Sequence, residues 1–389
     1  MALLSEAPEA TALLADVPVV DNHCHGFVAV GDDIAPTRWR AFFTESREER
    51  TRSAHAATMV SYRRVMHRLA GLLGCEPAED AVVAARARLG EREAIGLLLR
   101  DANAAALLVD RGYPPPAEVL PDDEVRKVTD VRFESLLRLE PLFEELIRDH
   151  ATIADVLDSL RARLSDVRAQ GFVGLKSVAA YRTGLDVSEW SQEEVAASFE
   201  EARAQQGDAD GYRLASKPLL EHLLFEALSE ASRQELPVQF HVGYGDTDVD
   251  LLRGNPLWLR PWLGSERLRG MSFVLLHECY PYTREGAYLA AVYDNVFLDL
   301  SYGIPFLGWA ELLDFTRAAV AGAPTSKLLY SSDGVGVPEL HWASAHDARA
   351  VLGTVLEECR GRGELTAEEA RRAGEDILRD NARRLYGLG

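Results

Sequence analysis

Apolar residues in this chain follow two rhythms. Short runs rich in Val, Leu and Phe, closed by polar residues, alternate with longer stretches in which Leu, Ala and Val recur every three or four positions. The first rhythm is that of buried strands and the second that of amphipathic helices. The short runs fall at 17–23, 106–110, 128–133, 171–178, 236–242, 271–277, 296–300 and 327–332. Helical patterns separate most successive pairs, which predicts a parallel sheet with crossover helices. Eight such units predict a TIM-type (β/α)8 barrel. The runs at 106–110 and 128–133 are the weakest, one being brief and the other broken by charge, so a distorted or seven-stranded barrel is the alternative.

Between the first two runs lie about eighty residues, far more than a barrel loop and one helix require. Residues 61–73 and 81–99 within this interval carry apolar positions at helical spacing among Arg and Glu. We therefore expect a helical insertion over about 27–104 that covers the barrel mouth or forms a subunit contact. No repeat, low-complexity tract or Gly/Ser linker divides the chain, which predicts one domain over residues 1–389.

The polar residues that close the runs carry the chemistry. His23 and His25 stand one residue apart at the end of the first run, and side-chain alternation along a strand points both the same way. Lys176 closes the fourth run, His241 the fifth, His277 the sixth and Asp333 the eighth. Barrel active sites gather at the C-terminal ends of strands, so these six residues are expected to face one another. Imidazole and carboxylate are the usual ligands of a catalytic zinc or similar divalent ion. Such an ion lowers the pKa of bound water from about 15.7 toward about 7. Asp333 is then expected both to ligate and to act as general base and acid, with His277 polarising a carbonyl or stabilising charge on its oxygen.

Composition narrows the substrate. The formal charge is −20, from 62 acidic against 42 basic residues, which opposes binding to nucleic acid or an anionic membrane and favours a small molecule. Residues 1–17 show no basic, apolar leader pattern and no stretch is long enough to span a bilayer, so the cytoplasm is the expected compartment. The four cysteines, Cys24, Cys75, Cys279 and Cys359, lack C-x-x-C spacing and read as free thiols.

The set of an H-x-H on the first strand, histidines on the fifth and sixth and an aspartate on the eighth resembles the amidohydrolase superfamily. The strings Lys176-Ser-Val-Ala-Ala-Tyr-Arg-Thr-Gly184, His277-Glu-Cys-Tyr-Pro-Tyr-Thr-Arg284 and Lys327-Leu-Leu-Tyr-Ser-Ser-Asp-Gly334 look like the FluG-type branch of its amidohydrolase 2 group. The closing Asp380-Asn-Ala-Arg-Arg-Leu-Tyr-Gly387 extends the likeness to nearly the whole chain. The resemblance implies a metal-dependent enzyme with zinc, or else manganese or iron. In a mononuclear site His23, His25, His241 and Asp333 hold one ion and Lys176 offers a charge to a substrate carboxylate. In a binuclear site a carboxylated Lys176 bridges two ions, with His241 and His277 on the second. One ion is the preferred expectation.

Arg182 and Arg284 follow site strands, and guanidinium forks bind carboxylates in bidentate fashion, so a carboxylate-bearing substrate is expected. Tyr181 is a further candidate for substrate contact, with Tyr282 and Trp258 behind it. Gly243-Tyr-Gly-Asp-Thr-Asp248 lacks the context of a phosphate cradle, so no nucleotide is assigned. His55, His67, His150, His222 and His346 read as bystanders, whereas His341, eight residues past Asp333, is expected within reach of the mouth. The leading functional reading is hydrolysis of a C–N bond of amide type. Nonoxidative decarboxylation on the same site and a non-catalytic metabolite-binding barrel are the alternatives, and a homo-oligomer joined through the insertion is a further expectation.

Overall fold

The computed structural model describes residues 13–31, 34–206 and 212–389. Most of the 1–17 segment, on which the leader expectation rests, lies outside these. Eight strands form one parallel sheet in the order of the sequence: β1 (Val19–Cys24), β2 (Ala104–Asp110), β3 (Arg132–Arg138), β4 (Phe172–Ser177), β5 (Pro237–Phe240), β6 (Ser272–Leu275), β7 (Val296–Ser301) and β8 (Leu328–Ser331). The first and last strands approach each other and nearly close the barrel. Beyond their ends two backbone bonds suture the seam, Asp333 N–H to the His23 carbonyl (3.1 Å) and His25 N–H to the Gly334 carbonyl (2.9 Å). Closure is thus completed at the level of the predicted site.

Seven strands overlap their predicted runs closely, and β3 is displaced. The expected 128–133 becomes Arg132–Arg138 because Val128 packs beside the helix Glu91–Asp101 rather than in the sheet, while Leu136 takes an inward position. The shift matters, since it brings Arg138 to the strand's C-terminal end. There Arg138, Lys176 and Gln239 are register partners across β3, β4 and β5, one row at one height.

Two apolar layers hold the barrel. The larger lies between the strands and the surrounding helices. The smaller fills the interior with Val20, Leu108, Leu136, Val274 and Leu329, onto which the C-terminal helix Asn381–Tyr386 packs Tyr386. The interval between β1 and β2 is helical as predicted, with helices Pro36–Ala41, Val60–Leu73, Glu79–Leu89 and Glu91–Asp101. The last of these packs on the helix Pro338–Gly361 and on β2, as a crossover helix does, so the added structure precedes it. No helix among the described residues is long and apolar enough to cross a membrane.

Candidate metal centre and active site

His23 is buried near the end of β1, and His25 follows the strand by one residue. The Nδ1–H of His23 donates to Gln239 Oε1 (2.8 Å), and that of His25 to the Tyr113 carbonyl (2.9 Å). Those bonds fix both tautomers and leave both Nε2 lone pairs free. The freed atoms point at one carboxylate oxygen, Asp333 Oδ1, at 3.4 and 3.6 Å. Three ligand atoms lie within 4.8 Å of one another, a donor set that suits a divalent ion, with the outer hydrogen bonds that orient metal-binding imidazoles already in place. Asp333 has a left-handed backbone (φ 49°), a conformation costly for a residue with a Cβ and held by the bonds around it. Its Oδ2 accepts from the Tyr244 hydroxyl at 2.6 Å.

His241 and His277 make a second group. The Tyr244 carbonyl can only accept, so the 2.6 Å contact fixes the proton of His241 on Nε2 and leaves Nδ1 as a lone pair. That Nδ1 lies 3.0 Å from His277 Nε2. His277 Nδ1 faces Ser301 Oγ at 3.2 Å and Asp333 Oδ2 at 3.4 Å. The backbone of His277, Glu278 and Cys279 is left-handed at three consecutive residues (φ 62°, 41° and 57°), a strained turn that swings the imidazole inward after β6. Gly243, with φ 76°, lets the loop after β5 pass under this turn, where a Cβ would come within 2.2 Å of the Tyr280 carbonyl oxygen. His241 therefore groups with His277, while at the strand ends facing the cavity His23, His25 and Asp333 lie within ligand distance of one another.

Lys176 is buried, and its Nζ has no hydrogen-bond partner among the described residues. Burial lowers its pKa to about 8, with Asp110 opposing that shift and Arg138 adding to it. Burial likewise lowers His23 to about 4 and His241 to about 3, and pushes His277 well below the ordinary imidazole range, so all three present lone pairs at neutral pH. Asp333 goes the other way. Burial opposes its charge, and its carboxyl is held well below the usual carboxylate range to the extent that His277, His23 and His25 carry protons, a positive charge that a bound cation would replace where the imidazoles are neutral.

All six strand-end residues line one cavity of about 280 Å³, together with Tyr181, Arg182, Arg138, Arg213, Arg47 and Glu45. The Tyr181 ring lies tilted against that of His241, with ring centroids 4.5 Å apart. Arg182 lines the wall, yet its guanidinium faces Glu144 (3.0 Å). The expectation for Arg284 is corrected: it is exposed on the helix Thr283–Val292 and does not line the cavity. Trp258 is half exposed, and it and Tyr282 bond to the carbonyls of Leu252 and Leu251, outside the cavity. His341 is buried behind the loop, near Ser332 Oγ (3.2 Å) and Asp21 Oδ2 (3.5 Å), and supports the segment carrying Asp333 without reaching the mouth.

Several residues of the site escaped the sequence reading. Gln239 carried a signal, being a lone polar side chain two positions before His241 in an apolar strand. Arg138 was hidden by the misplaced third strand. Glu45 and Arg47 come from the insertion, where charged residues are too common to stand out.

A barrel whose strand ends gather imidazole and carboxylate donors around one cavity is the framework of a metal-dependent barrel enzyme. A family model described as amidohydrolase matches residues 155–388, and the chain belongs to that family. It is similar to the fluG protein of Emericella nidulans, 29% identical over 403 residues, which cover 97% of this chain and 46% of that protein. The chain thus spans about half the length of that relative. Among solved structures it is similar to a Lactobacillus casei protein with the provisional name of metal-dependent hydrolase (28% identity, TM-score 0.86, 97% of each chain covered). It shares its fold with the glucuronate isomerase of Caulobacter crescentus (17% identity, TM-score 0.66, 98% and 94% covered). The protein is an enzyme of the amidohydrolase superfamily, whose members imply a divalent metal.

Proposed function

We propose that the protein is a metal-dependent hydrolase that cleaves a C–N bond of amide type in a small carboxylate-bearing compound. The observation that carries this reading is the convergence of His23 Nε2 and His25 Nε2 on Asp333 Oδ1, with both Nδ1 atoms already committed elsewhere. His23, His25 and Asp333 would hold the ion, zinc being the first choice for this donor set. When bound, the ion supplies Lewis acidity and an acidified water. Asp333, ionised at neutral pH and steadied by Tyr244, takes a proton from the attacking water and returns it to the departing nitrogen, so that water is added across the C–N bond. His277 lines the cavity with its Nε2–H on His241 Nδ1, and would stabilise charge on the carbonyl oxygen once a bound substrate takes over that N–H. Lys176, whose Nζ has no partner among the described residues, orients the substrate carboxylate, with Arg182, paired to Glu144, on the wall beside it.

A second reading of the metal is favoured by two observations, the 3.0 Å approach of His241 Nδ1 to His277 Nε2 and the unpartnered Lys176 Nζ. In it Lys176 carries a carboxyl group taken up from CO2, and His241 and His277 hold a second ion. Elemental analysis per chain separates the two: one equivalent supports the first, and two equivalents whose loading depends on bicarbonate support the second. For the reaction, zinc- or manganese-loaded protein is given a panel of N-acyl and γ-glutamyl amides and aryl carboxylates. Amine release with uptake of water is expected. Evolution of CO2 without hydrolysis would replace the hydrolytic reading with decarboxylation.

A further inference from the structure

The catalytic cavity opens into a larger one of about 690 Å³, walled by Val28, Phe42, Pro114, Pro115, Pro305 and Leu340. Four residues line both: Glu45, Tyr113, Asp333 and Val335. Glu45, from the insertion, and Asp333, from the barrel, thus both border the junction of the two chambers. Each arginine of the inner chamber already has a carboxylate: Arg138 has Asp110, Arg182 has Glu144, Arg213 has Asp248, and Arg47 has Asp246 (2.5 Å) and Asp248 (3.1 Å). Glu45 has no such counterpart. Among the described residues it makes no hydrogen bond and no ion pair, and Arg47, two positions along, is spent on the loop after β5. A half-buried carboxylate with no partner is costly to keep charged. Burial, and behind it the charges of Asp333 and Asp246, raise its pKa to about 7.

The inner chamber thus offers an unpaired cation in its depth, Lys176, and an unpaired carboxylate at its junction, Glu45. We propose that Glu45 receives a protonated amino group of the substrate, so that the carboxylate-bearing compound of this active site is an amino acid derivative carrying a free ammonium. The assignment rests on the small-molecule reading of the site given above and adds a specificity determinant to it. An ammonium set on Glu45 supplies the charge-assisted hydrogen bond that this carboxylate lacks.

Calorimetric binding to the zinc-loaded protein tests this without turnover, using glutamate (both enantiomers) and glutarate, which differ only in the amino group. Wild-type protein is expected to bind one enantiomer of glutamate about tenfold more tightly than glutarate. Glu45→Gln is expected to bring that ratio to about one, and Glu45→Asp to retain part of it. Glu118→Gln, at a carboxylate that lines only the outer chamber, is expected to leave the ratio unchanged. Equal affinity for the two diacids in wild type, no binding of either, or a preference that survives Glu45→Gln overturns the proposal. Discrimination between the diacids by a protein that hydrolyses no amide would instead retain Glu45's role and remove the hydrolytic reading.

Discussion

Gln239 shows how much of the metal centre depends on residues that are not ligands. Its Oε1 takes the Nδ1–H of His23, and its amide donates to the Asn22 carbonyl (2.6 Å) and the Tyr386 hydroxyl (2.7 Å), which fixes the orientation of the amide. Gln239→Leu removes the acceptor and lets the His23 ring turn. Metal affinity is expected to fall about 10- to 100-fold, read by competition with a chromogenic chelator, and unchanged affinity would remove Gln239 from the positioning role. The ligand types themselves were legible in the sequence, because His23, His25, His241, His277 and Asp333 all end apolar runs. What could not be read was their grouping. Whether His241 offers Nδ1 or Nε2 depends on the Tyr244 carbonyl three residues on, a contact made by a turn and invisible in any spacing.

At the scale of elements, the insertion is fastened to the barrel by charge. Arg86, on the helix Glu79–Leu89, pairs with Glu91 (2.5 Å) and with Glu339 at the start of the helix Pro338–Gly361, where Arg86 and Glu339 are both buried. Removing one member of a buried pair strands the other charge. Arg86→Leu is expected to cost about 3–5 kcal/mol in denaturant unfolding, and the double variant with Glu339→Leu to recover most of it. A double variant no more stable than the single one would contradict this account. A second fastening, Arg47 to Asp246 and Asp248, crosses the mouth and is largely exposed at Arg47. Arg47→Ala is accordingly expected to change stability by no more than about 1 kcal/mol while raising KM through loss of order in the Glu45 segment, as steady-state kinetics would show. The helical nature of the insertion was readable from its periodicity. Its last helix was not separable from it, since a crossover helix and an inserted one share the same amphipathic pattern and differ only in what they pack on.

Across the whole molecule, the C-terminal helix and the site communicate through the barrel interior. Tyr386 is fully buried against the interior apolar layer, and its hydroxyl meets Gln239 and Asn22 Oδ1 (3.2 Å), one bond away from His23. Tyr386→Ala is expected to destabilise by about 3–5 kcal/mol through the cavity left in the interior, whereas Tyr386→Phe should cost about 1 kcal/mol, both read from chemical denaturation. The barrel itself was legible because eight apolar runs at suitable spacing admit few other topologies. The third strand slipped because its charged residues, Arg132 and Glu134, alternate with Phe133 and Ser135, and only pairing with β2 selects the register. The His23, His25 and Asp333 cluster is proposed to hold an ion required for hydrolysis. The most direct measurement is amine release from the amide panel by chelator-stripped protein titrated with zinc, run beside Asp333→Asn. Activity is expected to be absent without metal, to rise to a plateau with added zinc, and to be lost by at least about a hundredfold in Asp333→Asn. Turnover that survives stripping, or an Asp333→Asn variant as active as the wild type, would contradict it.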